Sequence, residues 1–335
     1  MEPQKTSDVR DILDVLILGA GPAGLAAAIA ATKSGLSYQI IEKGALVNSL
    51  LHYPTEMVFF TTPELMEIGG LPFTSPNDKP TRMEALRYYR RAADTYKLDI
   101  AFDETAESIT VDLNTFFTQT RSTRRPNRTI QSRTVVMATG AYDVPNLIDV
   151  PGEDLAHVSH YFTSPHPFYR KPVVIVGGKN SAAEAALELY RAGARVTIVY
   201  RRESLSDSIK YWVKPDIENR IKEGSIAARF STSVVRINPS SVVVEKDGVL
   251  DEIPADGVFL LTGYLSDNRL LRAAGVEIDP DTCGPRHDPQ TYETNVKNLY
   301  VIGAMVAGKA SGRIFIENGR FHGQVAIDEI VNRQR

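Results

Sequence analysis

Three glycines near the start of the chain have the spacing of a phosphate-binding turn. Gly19, Gly21 and Gly24 form a G-x-G-x-x-G pattern that also contains Pro22 and Ala23. The first glycine permits a tight turn, the second lets backbone N–H groups approach a pyrophosphate, and the third lets a helix pack against a strand. A helix that begins here offers unpaired N–H groups and about half a positive charge to the anion. The pattern therefore predicts a dinucleotide site.

A carboxylate follows at the distance that such a site requires. Glu42 lies 18 residues after Gly24, at the end of the apolar segment 38–41. A carboxylate in this position accepts hydrogen bonds from ribose hydroxyls. The strand, the glycines, the helix and the acid follow one another with the spacing of a dinucleotide-binding unit. Dinucleotide binding is therefore favoured over an ordinary tight turn.

A second turn of the same kind begins at position 177. Its residues are Gly177, Gly178, Lys179, Asn180, Ser181 and Ala182. Lys179 replaces the second glycine and places a cation near a phosphate, and alanine is a common substitute for the third glycine. The next apolar segment ends in Arg201 and Arg202, where an acid would repel a 2′-phosphate and guanidinium groups bind it. The second unit therefore predicts selectivity for NADPH. The alternative is that Arg201 and Arg202 are two surface arginines that merely follow a strand.

Apolar runs with the length of buried parallel strands surround both turns. Strands are predicted at 14–18, 38–41, 135–140, 173–176, 196–200, 242–244, 258–261 and 298–303, and helices after both turns, at 81–96 and at the C-terminus. The last strand and helix are expected to complete the first domain. The predicted fold class is α/β, with two Rossmann-like dinucleotide-binding domains: a first domain at 1–148 and 267–335, and an NADPH domain at 149–266 inserted into it.

The composition excludes several other classes of protein. The 335 residues carry a formal net charge of −3, with 24% charged and 43% hydrophobic residues, which gives no electrostatic case for nucleic acid or a membrane surface. The first 13 residues are unlike a secretory signal, and no apolar run reaches the ~18 residues that span a bilayer. With Cys283 as the one cysteine, no disulfide can form within the chain, and a cytoplasmic location is expected.

Two further stretches need interpretation. Residues 43–80 form a long irregular excursion, whose aromatic residues argue against disorder and whose position suits wrapping of a cofactor. For single residues in it, such as His52, a purely structural role is an equal alternative. Trp212, the one tryptophan, is better explained by core packing or an interface than by base stacking.

With these features the chain resembles the thioredoxin-reductase-like flavoproteins, and more specifically the bacillithiol disulfide reductase (YpdA-type) family. The matching segments are 48–49, 52–54, 138–142, 177–182, 209–217 and 314–320. The resemblance implies FAD, NADPH and a homodimer or homotetramer. It implies FAD contacts from the first turn, Glu42, Lys43, Asn48, Ser49, His52, Thr139, Gly140, Gly303, Ala304, Arg313 and Ile314, and NADPH contacts from the second turn and both arginines.

The chain departs from these relatives at three places. Thioredoxin reductases have a Cys-x-x-Cys near the start of the NADPH domain, whereas residues 157–171 contain no cysteine. Ala23 stands where the best-known bacillithiol reductases have a cysteine, and Ala304 stands where many FAD proteins have an acid. Cys283 is a poor substitute for the missing thiols, because a neighbouring carboxylate, here Asp281, disfavours the reactive thiolate. Reduction of a protein by exchange with a resident dithiol is therefore excluded.

The leading hypothesis is an NADPH-dependent flavin enzyme that reduces a small disulfide, or another electron acceptor. No side chain is assigned as acid, base or nucleophile, and no metal site is predicted. Three alternatives remain: a ferredoxin- or flavodoxin-NADP reductase, a flavin monooxygenase, and a redox-sensing flavin-binding protein.

Overall fold

The computed structural model describes residues 12–334, which form two compact units. The first unit comprises 12–51, 57–144 and 264–334, and the second comprises 52–56 and 145–263. The second unit is thus an insertion into the first along the chain. The short segment 52–56 groups with the second unit, which the sequence did not indicate. Residues 1–11, where the sequence predicts no secretory signal, and residue 335 lie outside the described part.

The predicted strands and helices occur close to their expected positions. The strands are β1 (Leu13–Leu18), β2 (Tyr38–Glu42), β3 (Ile100–Phe102), β4 (Glu104–Asp112), β5 (Thr115–Ser122), β6 (Arg128–Met137), β7 (Val144–Pro145), β8 (Val158–Ser159), β9 (Pro172–Val176), β10 (Arg195–Tyr200), β11 (Ala227–Phe230), β12 (Ser233–Asn238), β13 (Ser241–Lys246), β14 (Val249–Pro254), β15 (Gly257–Leu260), β16 (Tyr264–Leu265) and β17 (Leu299–Val301). The helices are α1 (Pro22–Lys33), α2 (Asn48–Leu51), α3 (Arg82–Thr95), α4 (Asn180–Arg191), α5 (Lys214–Lys222), α6 (Arg269–Ala273), α7 (Ile316–Gly319) and α8 (His322–Gln334), with 3₁₀ helices at Pro63–Met66, His166–Phe168 and Gly303–Arg313.

The first unit is built on one mixed sheet with strand order β3–β2–β1–β6–β5–β4, in which β17 also pairs with β6. β1, β2, β3, β17 and the C-terminal part of β6 are parallel, whereas β4, β5 and β6 form an antiparallel meander. Since β1, β6 and β17 run in the same direction, their C-terminal ends lie at one edge of the sheet. Ligands of open α/β sheets bind at that edge.

Helix α1 is buried along most of its length because its residues are small. Gly24 to Ala31 are all buried, so the helix contacts neighbours around its circumference. α8 packs closely on α1: a Cβ atom at Gly323 would lie 2.5 Å from the backbone nitrogen of Ala27. This packing holds the N-terminus of α1 in place next to the first glycine turn.

The second unit has a parallel sheet of order β11–β10–β9–β15–β8 and an antiparallel sheet of order β12–β13–β14. Val173, Ile175 and Ile198 pack against α4 on one face of the parallel sheet, and Val174, Val199 and strand β13 form a second core. β9, α4 and β10 therefore form the βαβ arrangement expected for the second glycine turn.

Within residues 12–334, no helix has the length and apolar character needed to cross a membrane. The same residues contain no group of three or more potential His, Cys, Asp or Glu ligands placed to hold a metal ion.

Candidate dinucleotide-binding sites

The first glycine turn is closely packed on one side and open on the other. A Cβ atom on Gly19, whose φ is +108°, would lie 2.6 Å from the carbonyl oxygen of Ala138, and one on Gly24 would lie 2.0 Å from that of Gly19. A Cβ atom on Gly21 would meet nothing within 4 Å. Pro22 begins α1, where its missing N–H costs nothing. The turn thus exposes bare backbone at the N-terminus of a 12-residue helix, which suits a pyrophosphate.

Glu42 is a buried carboxylate at the end of β2. Its Oε2 accepts a hydrogen bond from Ala20 N (2.8 Å), and its Oε1 accepts one from Gly44 N (2.9 Å). Burial raises the pKa of Glu42, although both N–H groups act in the opposite direction. Because a carboxylate has about four acceptor positions, it retains capacity for two ribose hydroxyls.

The residues after Glu42 divide between the two units. Lys43 forms an ion pair with Asp143 (2.7 Å between Nζ and Oδ2), which the sequence did not indicate. Asn48 and Ser49 lie half-buried on α2, and Asn48 Oδ1 accepts a hydrogen bond from the backbone three residues earlier (3.2 Å). His52 is exposed and groups with the second unit. A role of His52 in FAD binding stays a prediction.

Side chains of α3 fix the excursion at 43–80. Arg82 Nη1 donates to the carbonyl oxygen of Leu51 (2.7 Å) at the end of α2. Tyr88 hydroxyl accepts from Ile68 N (2.7 Å) and donates to Leu71 O (2.9 Å). The excursion is an ordered loop, as its aromatic content predicts.

The C-terminal glycine lies beside the first turn. Gly303 follows β17, and a Cβ atom on it would lie 2.9 Å from Ala23 Cβ. At the end of β6, Thr139 Oγ1 donates to Met305 Sδ (3.8 Å). The parallel strands thus bring together predicted FAD residues that are widely separated in sequence. Met305, which is buried, is a neighbour that the sequence did not identify.

His322 is a second residue that sequence reasoning missed. Gly303 N donates to its Nδ1 (3.3 Å), and its ring stacks on Tyr292 with centroids 4.2 Å apart. Burial, with a smaller effect of His287, lowers the pKa of His322 to about 4. The ring is therefore a neutral acceptor at neutral pH. Its position two residues after the matching segment 314–320 is a sequence signal that could have identified it.

The remaining predicted FAD residues have less specific surroundings. Gly140, with φ +74°, and Ala304 are half-buried after their strands. Arg313 is exposed, and its carbonyl oxygen accepts a hydrogen bond from Asn318 Nδ2 (2.9 Å). Ile314 is half-buried. The roles of these residues remain predictions.

The second turn is equally constrained at its glycines. A Cβ atom on Gly177 would lie 2.6 Å from Leu261 O, and one on Gly178 would lie 2.3 Å from the ring of Tyr200. Lys179 has φ −114° and ψ −167°, an extended conformation that accommodates a side chain. The departure from the glycine pattern at Lys179 therefore carries no strain.

Positive charge without a counterion surrounds this turn. The side chains of Lys179, Arg201 and Arg202 are exposed and form no hydrogen bond or ion pair with another residue of 12–334. Ser181 is also exposed at the start of α4, whereas Ala182 is buried. Three unneutralised cations beside an exposed helix N-terminus favour anion binding.

Two aromatic residues on the following loop are not part of the core. Tyr211 is 82% exposed and Trp212 is 45% exposed, with ring centroids 4.8 Å apart. Core packing therefore does not explain Trp212, because the loop carries it on the surface, and the interface alternative stays a prediction.

Cys283 is half-buried in a turn with φ +56°, and its carbonyl oxygen accepts a hydrogen bond from Asn268 Nδ2 (2.8 Å). As the one cysteine of the sequence, it has no second thiol with which to form a redox-active pair. The chain's own side chains therefore supply no dithiol chemistry.

A family profile described as pyridine nucleotide-disulphide oxidoreductase matches residues 16–303. The chain belongs to this family. It is 42% identical over 321 residues to bacilliredoxin reductase Bdr of Bacillus subtilis (strain 168), across 95% of this chain and 98% of that protein. The family is one of flavin- and pyridine-nucleotide-dependent oxidoreductases, so the prediction of an oxidoreductase is confirmed.

Two solved structures are also similar. The bacillithiol disulfide reductase Bdr (YpdA) of Bacillus cereus has a TM-score of 0.94 and 40% identity, with 96% of this chain and 100% of that chain covered. The thioredoxin reductase of T. acidophilum has a TM-score of 0.76 and 22% identity, with 96% and 98% covered. The predicted thioredoxin-reductase-like fold is confirmed.

Proposed function

We propose that the first unit binds FAD, that the second unit binds NADPH, and that this oxidoreductase reduces bacillithiol disulfide. The observation that carries the cofactor assignment is the pair of phosphate turns on separate βαβ units, of which only the second is followed by unpaired arginines. The overall reaction converts NADPH, a proton and one disulfide into NADP⁺ and two thiols.

FAD fits the first unit because bare backbone after β1 and a buried acceptor at the end of β2 lie next to each other at one edge of the sheet. Gly21 leaves space for a pyrophosphate, and Glu42 supplies ribose acceptors. Neutral His322 holds the backbone of Gly303 in place beside Ala23. When bound, the flavin would supply the redox chemistry, while the protein supplies binding and orientation.

NADPH fits the second unit because cations without counterions lie where a 2′-phosphate is recognised. Lys179 would face the pyrophosphate, and Arg201 and Arg202 would bind the 2′-phosphate with charge-assisted hydrogen bonds. NADH lacks that phosphate, so we expect the two arginines to discriminate between the cofactors.

The identity of the disulfide is proposed from the relatives. One is called a bacillithiol disulfide reductase and another a bacilliredoxin reductase, so the acceptor is either a small disulfide or a small redox protein. The absence of a Cys-x-x-Cys favours the small disulfide, since no resident thiol pair can exchange with a protein disulfide. With Ala23 in place of a cysteine, reduction of that disulfide would not use a thiol at this position. We further propose a homo-oligomer in the cytoplasm, where thiols remain reduced.

Anaerobic flavin spectroscopy tests the proposal. The purified protein is mixed with one equivalent of NADPH, which should bleach the flavin, and bacillithiol disulfide is then added. Restoration of the flavin absorbance is expected, with slower bleaching by NADH. Oxidised bacilliredoxin serves as the second acceptor.

Each result has a separate meaning. Flavin that stays bleached with bacillithiol disulfide but is reoxidised by bacilliredoxin would favour the protein acceptor. Rapid reoxidation by ferredoxin or flavodoxin alone would identify a one-electron carrier reductase. A folded protein that is colourless and does not take up added FAD would overturn the cofactor assignment.

A further inference from the structure

The loop that follows β10 is attached to the phosphate turn of the second unit at three backbone positions. Ser206 N donates to Gly178 O (2.9 Å). The side chain of Asn180 makes the other two bonds: its Nδ2 donates to Ser208 O (3.0 Å), and its Oδ1 accepts from Lys210 N (2.9 Å). Asn180, at the start of α4, thus engages the loop with both polar atoms.

Two serines of this loop form a hydroxyl pair. Ser206 Oγ and Ser208 Oγ lie 2.8 Å apart, and Ser208 N donates to Ser206 Oγ (3.3 Å). Each hydroxyl carries one proton, and the bond between them uses only one. The second proton has no acceptor within residues 12–334. The pair is accessible, since Ser208 is exposed and Ser206 is half-buried.

The serine pair lies near the point where the two arginines begin. Gly178 contacts the ring of Tyr200, the residue immediately before Arg201. Ser206 is hydrogen-bonded to the same glycine. The loop therefore returns from Arg202 to the phosphate turn, and it brings a free hydroxyl donor to a region of unpaired positive charge.

We infer that the serine pair Ser206–Ser208 donates a hydrogen bond to the 2′-phosphate of NADPH, and that Asn180 is the positioning residue that holds the pair. The inference rests on the proposed use of NADPH. The arginines supply charge that any phosphate would attract. The hydroxyl donor adds a charge-assisted hydrogen bond to the 2′-phosphate, which is stronger than the neutral bond that the 2′-hydroxyl of NADH can accept.

Steady-state kinetics with both cofactors test this inference. The variants are S206A/S208A and N180A, with S204A as a matched control, because Ser204 is an exposed serine of the same loop and has no hydrogen-bond partner within residues 12–334. Ferricyanide accepts the electrons, so the natural acceptor is not needed. For S206A/S208A we expect KM for NADPH to rise about tenfold, with kcat and KM for NADH changed little. For N180A we expect KM to rise more for NADPH than for NADH. S204A should behave as the wild type.

Other results overturn the inference. If S206A/S208A keeps the wild-type preference for NADPH while R201A/R202A loses it, the arginines act alone. If N180A raises KM equally for both cofactors, Asn180 supports the pyrophosphate turn instead. Melting temperatures are measured in parallel. If N180A does not fold, the kinetics of S206A/S208A alone test the role of the serine pair. A wild type that does not oxidise NADPH would instead reject the proposed function itself.

Discussion

At the scale of single residues, some glycines of the phosphate turns leave room for an added methyl group and others do not. A methyl on Gly21 would meet no protein atom within 4 Å, whereas one on Gly178 would lie 2.3 Å from the ring of Tyr200. We expect G178A to lower the free energy of unfolding by about 1–3 kcal/mol through overpacking. We expect G21A to leave the stability of the apoprotein unchanged but to lower FAD retention, because the methyl occupies the proposed pyrophosphate surface.

Urea unfolding of apoprotein and the bound flavin per chain measure these two effects. G21A is thus the internal control for folding, and G178A is the control for flavin content. Full flavin retention in G21A would contradict the placement of the pyrophosphate at this turn.

His322 makes the stability of the first unit depend on pH. Its pKa is lowered from 6.5 to about 4, so the unfolded chain binds more protons between these values. The stabilisation by neutral His322 is complete above pH 6.5 and is lost as the pH falls through about 4. Protonation would also remove the acceptor for Gly303 N. We expect unfolding midpoints of the wild type to fall steeply across this range.

The matched variant for this pH effect is His322→Gln, which has no titrating ring. Its stability should change less than that of the wild type between pH 6.5 and 4, with the two curves parallel above pH 7. Identical slopes across the acid range would show that other groups cause the loss.

At the scale of elements, the excursion at 43–80 depends on α3. Tyr88 hydroxyl is the buried partner of both Ile68 N and Leu71 O. We expect Y88F to cost about 1–3 kcal/mol of stability, because it leaves two backbone groups without partners. Y96F is the matched control: Tyr96 hydroxyl donates one bond, to Gly69 O (2.7 Å), in a less buried position. Its smaller cost, about 0.5–1.5 kcal/mol, is expected from a single bond.

Proteolysis within residues 52–66 reports on the same element. Cleavage should be faster in Y88F than in Y96F if α3 orders the loop. Equal cleavage of both variants would mean that other contacts, such as that of Arg82 with Leu51, are sufficient.

At the scale of the whole molecule, the route of electrons is constrained by the thiol content of the chain. Cys283 is the one cysteine, so a disulfide acceptor must be reduced without a resident thiol pair. We expect C283S to keep its rate of NADPH-dependent disulfide reduction within about twofold of the wild type, since Cys283 packs in a turn and has no thiol partner. Stopped-flow flavin reoxidation measures the rate. Loss of disulfide reduction in C283S, with ferricyanide reduction retained, would assign this cysteine a redox role.

The elements themselves were largely predictable from the sequence, because their signals are local. The helix predicted at 81–96 begins where expected, because Thr81 and Glu84 form a capping box at the start of α3. Apolar runs likewise located β1, β2, β9 and β10. The grouping of 52–56 with the second unit was not predictable, since it depends on contacts such as that of Thr55 N with Thr163 O (2.8 Å).

The sequence by itself determined the two glycine turns, Glu42, the arginine pair and the single cysteine, because these depend on residue type and short spacing. Only the tertiary structure decided which distant residues meet. It placed Ala23 beside Gly303, gave Gly303 a neutral acceptor in His322, and tied Ser206 to Gly178. Such contacts follow from strand order and loop closure, which bring together residues far apart in the chain. The exposure of Trp212 was also not predictable from the sequence, because it depends on how the loop folds over the domain.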